Sequence, residues 1–149
     1  MRILVLSDSH GYAAKLGTVL MKAESTGKFD YVVHLGDGYR DMKVYEASLP
    51  PLYVTPGNCD WDRGTVFTPA FDGVTVLMTH GHAFSVKSGL YELKAAAIRA
   101  EAKAALFGHT HRPFLREEDG VLLMNPGAAM DGHFAVLTVE KGAVRGELF

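Results

Sequence analysis

The first half of the chain alternates short apolar runs with segments in which apolar residues recur at helical spacing. The apolar runs are rich in branched side chains and end abruptly at polar or glycine residues, which is typical of buried strands. We predict strands at residues 3–6, 31–35 and 52–54 and helices at residues 13–23 and 40–47. This alternation of strands and helices indicates a parallel sheet.

The second half of the chain consists mainly of strands. We predict them at residues 74–79, 105–107, 113–116, 121–124, 134–139 and 144–148, with a hairpin turn at 140–142. The alanine-rich residues 88–104 predict the longest helix. The sheet structure should therefore be mixed, with enough strands for two sheets. Because no repeat, low-complexity segment or linker divides the sequence, we expect one domain over residues 1–149.

Composition narrows the classes of function. The chain has 15 basic and 17 acidic residues and a net charge of −2, which argues against a large basic surface for nucleic acid. Cys59 is the single cysteine, so no internal disulfide can form, and this fits a reducing compartment. No apolar stretch reaches the ~18 residues of a membrane span, and the N-terminal apolar run is shorter than a signal-peptide core. We expect a cytoplasmic protein that binds neither nucleic acid stably nor a membrane.

Side chains that can bind metal ions follow five of the predicted strands. They are Asp8 with His10, Asp37, Asn58 with Asp60, His80 with His82, and His109 with His111. In open α/β sheets, ligands bind beyond the carboxyl ends of the strands, so these loops should converge on one crevice. Glycines beside them allow turns that other residues resist.

The types of donor atom indicate divalent transition metals. Carboxylates, an amide oxygen and imidazoles suit manganese, iron, cobalt, nickel or zinc, whereas the absence of cysteine pairs argues against a structural zinc site. One ion takes roughly four to six ligands, and two ions can share a carboxylate. The seven candidate ligands are Asp8, His10, Asp37, Asn58, His80, His109 and His111. A pair of ions stabilises in-line displacement at phosphorus and lowers the pKa of a shared water, so the pattern predicts a two-metal hydrolase.

Taken in order, these residues resemble the motif series of the calcineurin-like metallophosphoesterase superfamily. The series begins with Asp-x-His at residues 8–10, Gly-Asp at 36–37 and Gly-Asn at 57–58. It continues with a glycine between two histidines at 80–82 and ends with Gly-His-Thr-His at 108–111. The small size and the sequence Asn125-Pro126-Gly127 resemble most the YfcE-type phosphodiesterases. The resemblance covers residues 8–127.

The resemblance implies an α/β fold, a four-layer αββα sandwich of two mixed sheets flanked by helices. It implies Asp8, His10 and His111 as ligands of one ion and Asn58, His80 and His109 as ligands of the other, with Asp37 bridging them. By position, we expect Asp37, Asn58 and His82 to act in catalysis. His82 would orient a ligand or contact the phosphate, and a plain loop role is its alternative.

The implied activity is that of a divalent-metal-dependent phosphoesterase, foremost a phosphodiesterase. A hydroxide that bridges the two ions would attack phosphorus in line, without a covalent enzyme intermediate. We expect manganese as the metal, with iron, zinc, nickel, cobalt or magnesium as alternatives, and a small phosphoester as the substrate. The resemblance is also compatible with a homo-oligomer.

One position departs from the family pattern. Many members carry a histidine directly after the asparagine, and this chain has Cys59 there. A thiol donates a proton less readily than an imidazolium, so we expect aryl phosphodiesters to be better substrates than alkyl phosphomonoesters.

Three other functions compete with this interpretation. The retromer subunit resembles the same family but serves as a binding scaffold and lacks a complete ligand set, whereas this chain keeps His10. A two-metal hydrolase of amide or lactam bonds would resemble a His-x-His-x-Asp-His pattern, which is absent. A cysteine phosphatase would resemble Cys-x5-Arg, but here Arg63 follows Cys59 after four positions.

Several further polar residues have structural interpretations. His34 lies within an apolar run and should be a hydrogen-bonded core histidine, and His133 should also be structural. Asp60 should support its loop by accepting backbone hydrogen bonds. The basic residues that follow the ligand motifs form a basic rim or are ordinary surface charges, and these are Arg40, Arg63, Lys87 and Arg112.

Overall fold

The computed structural model describes residues 1–63 and 65–149, which form two β-sheets and two α-helices. The first sheet contains β1 (Arg2–Leu6), β2 (Tyr31–His34), β3 (Leu52–Val54), β10 (Ala135–Glu140) and β11 (Ala143–Leu148). The second contains β4 (Val66–Phe67), β5 (Ala70–Phe71), β6 (Val74–Thr79), β7 (Ala104–Leu106), β8 (Phe114–Glu118) and β9 (Val121–Asn125). The helices are α1 (Ala13–Glu24) and α2 (Tyr91–Arg99).

Both sheets are mixed, as the sequence predicts. In the first, the order is β11-β10-β1-β2-β3, with β1, β2 and β3 parallel and β10 antiparallel to both of its neighbours. In the second, the order is β4-β6-β7-β9-β8, with β6, β7 and β9 parallel and the short β5 also paired to β6. The parallel strands of each sheet therefore end at one common edge.

Alternating side chains sort the apolar residues into three core clusters. In β1, Ile3 and Val5 enter the cluster between the two sheets, while Leu4 and Leu6 face the cluster under α1. A third cluster lies between the second sheet and α2, and it includes Leu93 of that helix. The layers are helix, sheet, sheet and helix, which confirms the αββα sandwich.

The prediction of an α-helix at residues 40–47 is wrong. This segment forms two 3₁₀ helices, Tyr39–Val44 and Glu46–Ser48. Its hydrogen bonds span three residues, as from Tyr45 N to Met42 O at 2.9 Å. The tighter turn lets the Tyr45 hydroxyl donate to Ala13 O at 2.7 Å, at the start of α1.

The helix predicted at residues 88–104 is too long at both ends. Turns cover the residues before Tyr91, and Glu101 adopts a left-handed conformation with φ of 54° that ends the helix. Ala104 belongs to β7 and pairs with Val76. The two-residue strands β4 and β5 were not predicted, and several other strand ends differ from the predictions by one or two residues. Among the described residues, no helix has both the length and the apolar character that crossing a bilayer requires.

Candidate metal centre

The loops that follow five parallel strands meet at one place between the sheets. Asp8 follows β1 in the first sheet, and its Oδ2 accepts a hydrogen bond of 3.1 Å from the backbone N–H of His109 in the second sheet. Nδ1 of His80, after β6, lies 2.8 Å from the carbonyl oxygen of Leu35, after β2. Direct contacts therefore join the strand ends of both sheets, as expected from the position of these motifs.

The first group of predicted ligands consists of Asp8, His10 and His111. Oδ1 of Asp8 lies 3.2 Å from Nε2 of His111 and 3.6 Å from Nε2 of His10. The two histidine Nε2 atoms are 3.2 Å apart. One donor atom from each residue falls within 4.8 Å of the others, which is close enough for one ion to contact all three.

The second group consists of Asp37, His80 and His109. Oδ2 of Asp37 lies 3.2 Å from Nε2 of His80, and that nitrogen lies 3.2 Å from Nδ1 of His109. Oδ2 of Asp37 is also 3.8 Å from Nε2 of His10 in the first group. The carboxylate of Asp37 therefore stands between the two groups.

Asn58 is placed less tightly than the other predicted ligands. Its side chain is exposed, and Nδ2 lies 3.4 Å from Sγ of Cys59. The loop itself touches the centre, because the backbone N–H of Cys59 donates to Oδ1 of Asp37 at 2.7 Å. Cys59, which we did not predict as a ligand, has its thiol within 4.8 Å of donor atoms of His10 and Asp37.

His82 borders the second group without a direct polar contact to it among the described residues. Its ring centroid is 5.5 Å from that of His80 and 6.2 Å from that of His109. Nδ1 of His82 is buried and has no hydrogen-bond partner in the described part of the chain. Burial and, after it, the charge of His80 lower the pKa of His82.

The ionisable residues of the centre shift one another's pKa values. Burial opposes ionisation of Asp37, but hydrogen bonds from His80 and from the Cys59 backbone outweigh it and hold the pKa of Asp37 below its usual range. Burial likewise opposes protonation of His80, but the Asp37 carboxylate raises its pKa. The pKa of His109 is lowered by burial and then by the charges of His80 and Lys87. Because its pKa is lowered, the carboxylate of Asp37 is ionised and supplies a negative charge at the centre.

One carboxylate oxygen of the donor set is consistent with the role of a metal ligand. Oδ1 of Asp8 is buried, and no residue in the described ranges gives it a hydrogen bond. The other oxygen, Oδ2, accepts from the Ser7 hydroxyl at 2.6 Å and from the His109 backbone. Imidazole nitrogens of His10, His80 and His111 lie 3.2 to 4.0 Å from Oδ1. A buried carboxylate oxygen without a hydrogen bond is costly unless a cation contacts it.

The orientation of His80 also fits a ligand. A backbone carbonyl can only accept, so the contact with Leu35 O places the imidazole proton on Nδ1. Nε2 faces Asp37 and His109, so it can donate to the Asp37 carboxylate when it is protonated and bind an ion when it is not. Such a hydrogen bond on the far nitrogen is the usual way in which proteins orient a ligating imidazole.

The backbone at the predicted ligands is unusual. Ten non-glycine residues among those described have positive φ, and half of them are predicted ligands. These five are Asp8, His10, Asp37, His109 and His111, with φ between 49° and 66°. Left-handed conformations are strained for non-glycine residues and cluster at functional sites.

Residues around the ligands hold the loops in place. Asp60 accepts three backbone hydrogen bonds of 2.8 to 3.0 Å, from Asp37, Gly38 and Gly57, which confirms its predicted role. Buried His34 contacts Ser9 Oγ at 3.1 Å and accepts from Gly36 N at 3.2 Å, which confirms a hydrogen-bonded core histidine.

Some supporting residues were missed in the sequence. Asn125 donates to Gly108 O at 2.8 Å and to Thr110 Oγ1 at 3.0 Å, so it fixes the loop that carries His109 and His111. A polar amide at the end of the apolar segment Val121–Asn125 was the available signal. Of the basic residues left open, Arg40 pairs with Asp62 at 3.0 Å, so its charge is neutralised.

Two known proteins are similar to this chain in sequence. Probable metallophosphoesterase YsnB of Bacillus subtilis is 30% identical over 151 residues, which cover 96% of this chain and 87% of that protein. Phosphodiesterase MJ0936 of Methanocaldococcus jannaschii is 26% identical, and the match covers 85% of this chain and 83% of that one.

A solved structure shows the same fold at lower identity. Vps29 of Entamoeba histolytica, in complex with Zn²⁺, matches with a TM-score of 0.76 and 19% identity over 100% of this chain and 98% of that chain. The model of the calcineurin-like phosphoesterase superfamily domain matches residues 1–142. With that match across nearly the whole sequence, and with the motif residues gathered at one edge of the two sheets, the chain belongs to the calcineurin-like phosphoesterase superfamily.

Proposed function

We propose that this protein is a divalent-metal-dependent phosphoesterase, and more specifically a phosphodiesterase that promotes in-line attack of water on phosphorus. The observation that carries the proposal is the position of Asp37 between two groups of donor atoms. The names of two relatives, a probable metallophosphoesterase and a phosphodiesterase, support the same class of reaction.

The residues of the centre divide naturally between two ions. Asp8, His10 and His111 would hold one, His80 and His109 the other, and Asp37 both. Asn58 would join the second ion from the adjoining loop. A pair of divalent ions, foremost manganese, supplies an activated water and neutralises the charge that develops on the phosphoryl oxygens.

The protein's own side chains prepare this chemistry. The low pKa of Asp37 keeps its carboxylate ionised, and the carbonyl of Leu35 fixes the ring of His80. The exposed side chain of Asn58 would contact a substrate phosphate, and the ring of His82 lies beside that of His109. These groups would orient the phosphoryl group for attack.

The decisive experiment combines metal analysis with a nitrophenyl ester assay. We expect the purified protein to bind two equivalents of manganese and to hydrolyse bis-nitrophenyl phosphate only when the metal is present. Asp37→Ala should abolish turnover and the binding of at least one ion. Asp131→Ala, which removes an exposed carboxylate from a 3₁₀ helix, is the matched control and should behave as wild type.

Two results would overturn the proposal. Hydrolysis by Asp37→Ala at the wild-type rate would contradict the bridging role of this residue. A wild-type protein that neither binds the ions nor turns over any ester would instead favour a binding scaffold, which is the alternative function that the sequence left open.

A further inference from the structure

A groove opens beside the loop that carries His109 and His111. Its volume is about 550 Å³, and its lining includes Val86, Lys87, Leu90, Phe107, Arg112 and Phe114. Thr110, which lies between His109 and His111, also lines its wall. Val86 packs so closely on Gly81 that a Cβ there would lie 2.8 Å from Val86 Cγ2. The groove is therefore continuous with the loops of the metal centre.

The floor of this groove is apolar. Val86 and Phe107 are 5% and 2% exposed, and both belong to the core cluster under α2. Leu90 and Phe114 form half-buried sides, and the rings of Phe107 and Phe114 are 6.1 Å apart at an angle of 57°. Tilted aromatic rings over an apolar floor are suited to a flat hydrophobic group.

The rim of the groove carries two uncompensated positive charges. Lys87 and Arg112 are exposed, and no carboxylate of the described residues lies within salt-bridge distance of either. The nearby Lys94, by contrast, is paired with Glu118 and Asp119. The rim thus attracts an anion in addition to the phosphoryl group.

We propose that this groove binds the organic part of the substrate, and that the substrate class is a phosphoester bearing an aromatic ring with a second anionic group. The inference rests on the proposed function, because the phosphorus must lie at the metal centre for the ring to lie in the groove. A phosphate with a small alkyl group would leave the apolar floor and both charges without a partner.

The test measures binding of three phosphonates, whose P–C bond the enzyme does not hydrolyse. Calorimetry on the manganese-loaded protein would compare methylphosphonate, phenylphosphonate and 4-carboxyphenylphosphonate. We expect phenylphosphonate to bind about tenfold more tightly than methylphosphonate, because the ring fills the apolar groove. The carboxyl group should tighten binding further through Lys87 and Arg112.

Variants separate the two parts of the groove. Phe114→Ala should weaken phenylphosphonate about tenfold and leave methylphosphonate unchanged, whereas Leu115→Ala on the same strand is the control. Lys87→Ala and Arg112→Ala should remove only the advantage of the carboxyl group, with Lys28→Ala as the control for loss of a lysine. Leu90→Trp, which fills the groove, provides a second test if Phe114→Ala fails to fold.

Equal affinities for the three phosphonates, or equal losses in the control variants, would overturn the inference. The nitrophenyl ester assay distinguishes this result from failure of the proposed function. If the phosphonate preferences are found but no ester is hydrolysed, the groove stands as a binding site and the phosphoesterase assignment falls. If esters are hydrolysed but the phosphonate preferences are not found, the phosphoesterase assignment stands and the groove is not the binding site.

Discussion

The thiol of Cys59 lies beside the carboxylate that we propose to bridge the ions. Burial, followed by the hydrogen bond and charge of Asp37, raises the pKa of this thiol. A group with a raised pKa holds its proton too firmly to protonate a leaving group near neutral pH. The side chain at this position is therefore a poor general acid.

The predicted consequence is a strong dependence on the leaving group. Without general-acid assistance, which is typically worth about 10²–10⁴-fold, aryl phosphodiesters should be hydrolysed at least about 100-fold faster than alkyl phosphomonoesters. The measurement is kcat/KM for bis-nitrophenyl phosphate, nitrophenyl phosphate and an alkyl phosphate with manganese. A preference for the unactivated monoester would contradict it.

His34 makes the stability of the protein depend on pH. Complete burial, with a smaller contribution from the charge of His80, lowers its pKa from 6.5 to about 3. The unfolded chain therefore binds this proton more readily than the folded one, and the stabilisation present above pH 6.5 is lost as the pH falls from 6.5 towards 3. Between pH 6.5 and 5 the loss should be about 2 kcal/mol.

Urea unfolding of the metal-free protein at pH 8, 6.5 and 5 measures this effect. His34→Asn removes the titrating ring and keeps an acceptor for Gly36, so its free energy of unfolding should fall less steeply with pH. Because the other histidines titrate in both proteins, the difference in slope isolates His34. Equal slopes would show that His34 does not titrate in this way.

At the scale of the elements, the five loops are held by contacts that tolerate little change. An added Cβ on Gly36 would lie 2.5 Å from the backbone nitrogen of Gly57, because the loops after β2 and β3 touch through their main chains. A Cβ on Gly108 would collide with the Ser7 side chain. Each loop thus fixes the position of its neighbour in addition to its own ligand.

Asn125 offers a test of this support. Asn125→Asp removes the donors to Gly108 O and Thr110 Oγ1 and places a carboxylate against a carbonyl oxygen. We expect a loss of about 2–3 kcal/mol in the free energy of unfolding and weaker manganese binding, because a buried donor pair is lost. Thermal and chemical unfolding with metal titration would measure both.

A milder substitution in the same contact serves as the control for Asn125→Asp. Thr110→Ala removes one of the two acceptors and should cost less than Asn125→Asp. If Asn125→Asp had the stability and affinity of wild type, the amide would not be holding the loop.

The same scale shows what the sequence could predict. The abrupt ends of the apolar runs located Asp8, Asp37 and His80, because a parallel strand must deliver its next residues to one edge of the sheet. The pairing of β10 with β1 could not be predicted in this way, because the paired residues, such as Arg2 and Thr138, are far apart in the sequence. The 3₁₀ segments were mistaken for a helix because both have apolar residues three positions apart.

The charged groove was also beyond the sequence. Lys87 and Arg112 could be named as part of a rim, but their lack of carboxylate partners in the described residues depends on three-dimensional packing. The role of Asn58 as a ligand remains a prediction. Its side chain contacts Cys59 in the structure, and not the first or second group of predicted ligands.

At the scale of the molecule, the centre joins the two sheets. The loops of the first sheet carry Asp8, His10, Asp37 and Asn58, and those of the second carry His80, His109 and His111. Bound ions would link both sheets, so metal binding should stabilise the whole fold. At free manganese about 100-fold above the dissociation constant, the gain is about 2.7 kcal/mol, or roughly 5–10 °C in Tm.

Differential scanning calorimetry with manganese or with a chelator measures this shift. His111→Ala should reduce the shift, because it removes a ligand contributed by the second sheet. An unchanged Tm across manganese concentrations that saturate the hydrolytic activity would contradict the proposed link between the sheets.

The left-handed ligand positions make such a centre easier to lose than to acquire. A residue other than glycine costs roughly 1–2 kcal/mol in this conformation, and the proposed ion binding would offset that cost. In a lineage that no longer needed the ions, drift towards glycine at His10 or His111 would be thermodynamically downhill, and the sandwich would survive it. The fold would then persist in that lineage after metal binding and catalysis had been lost.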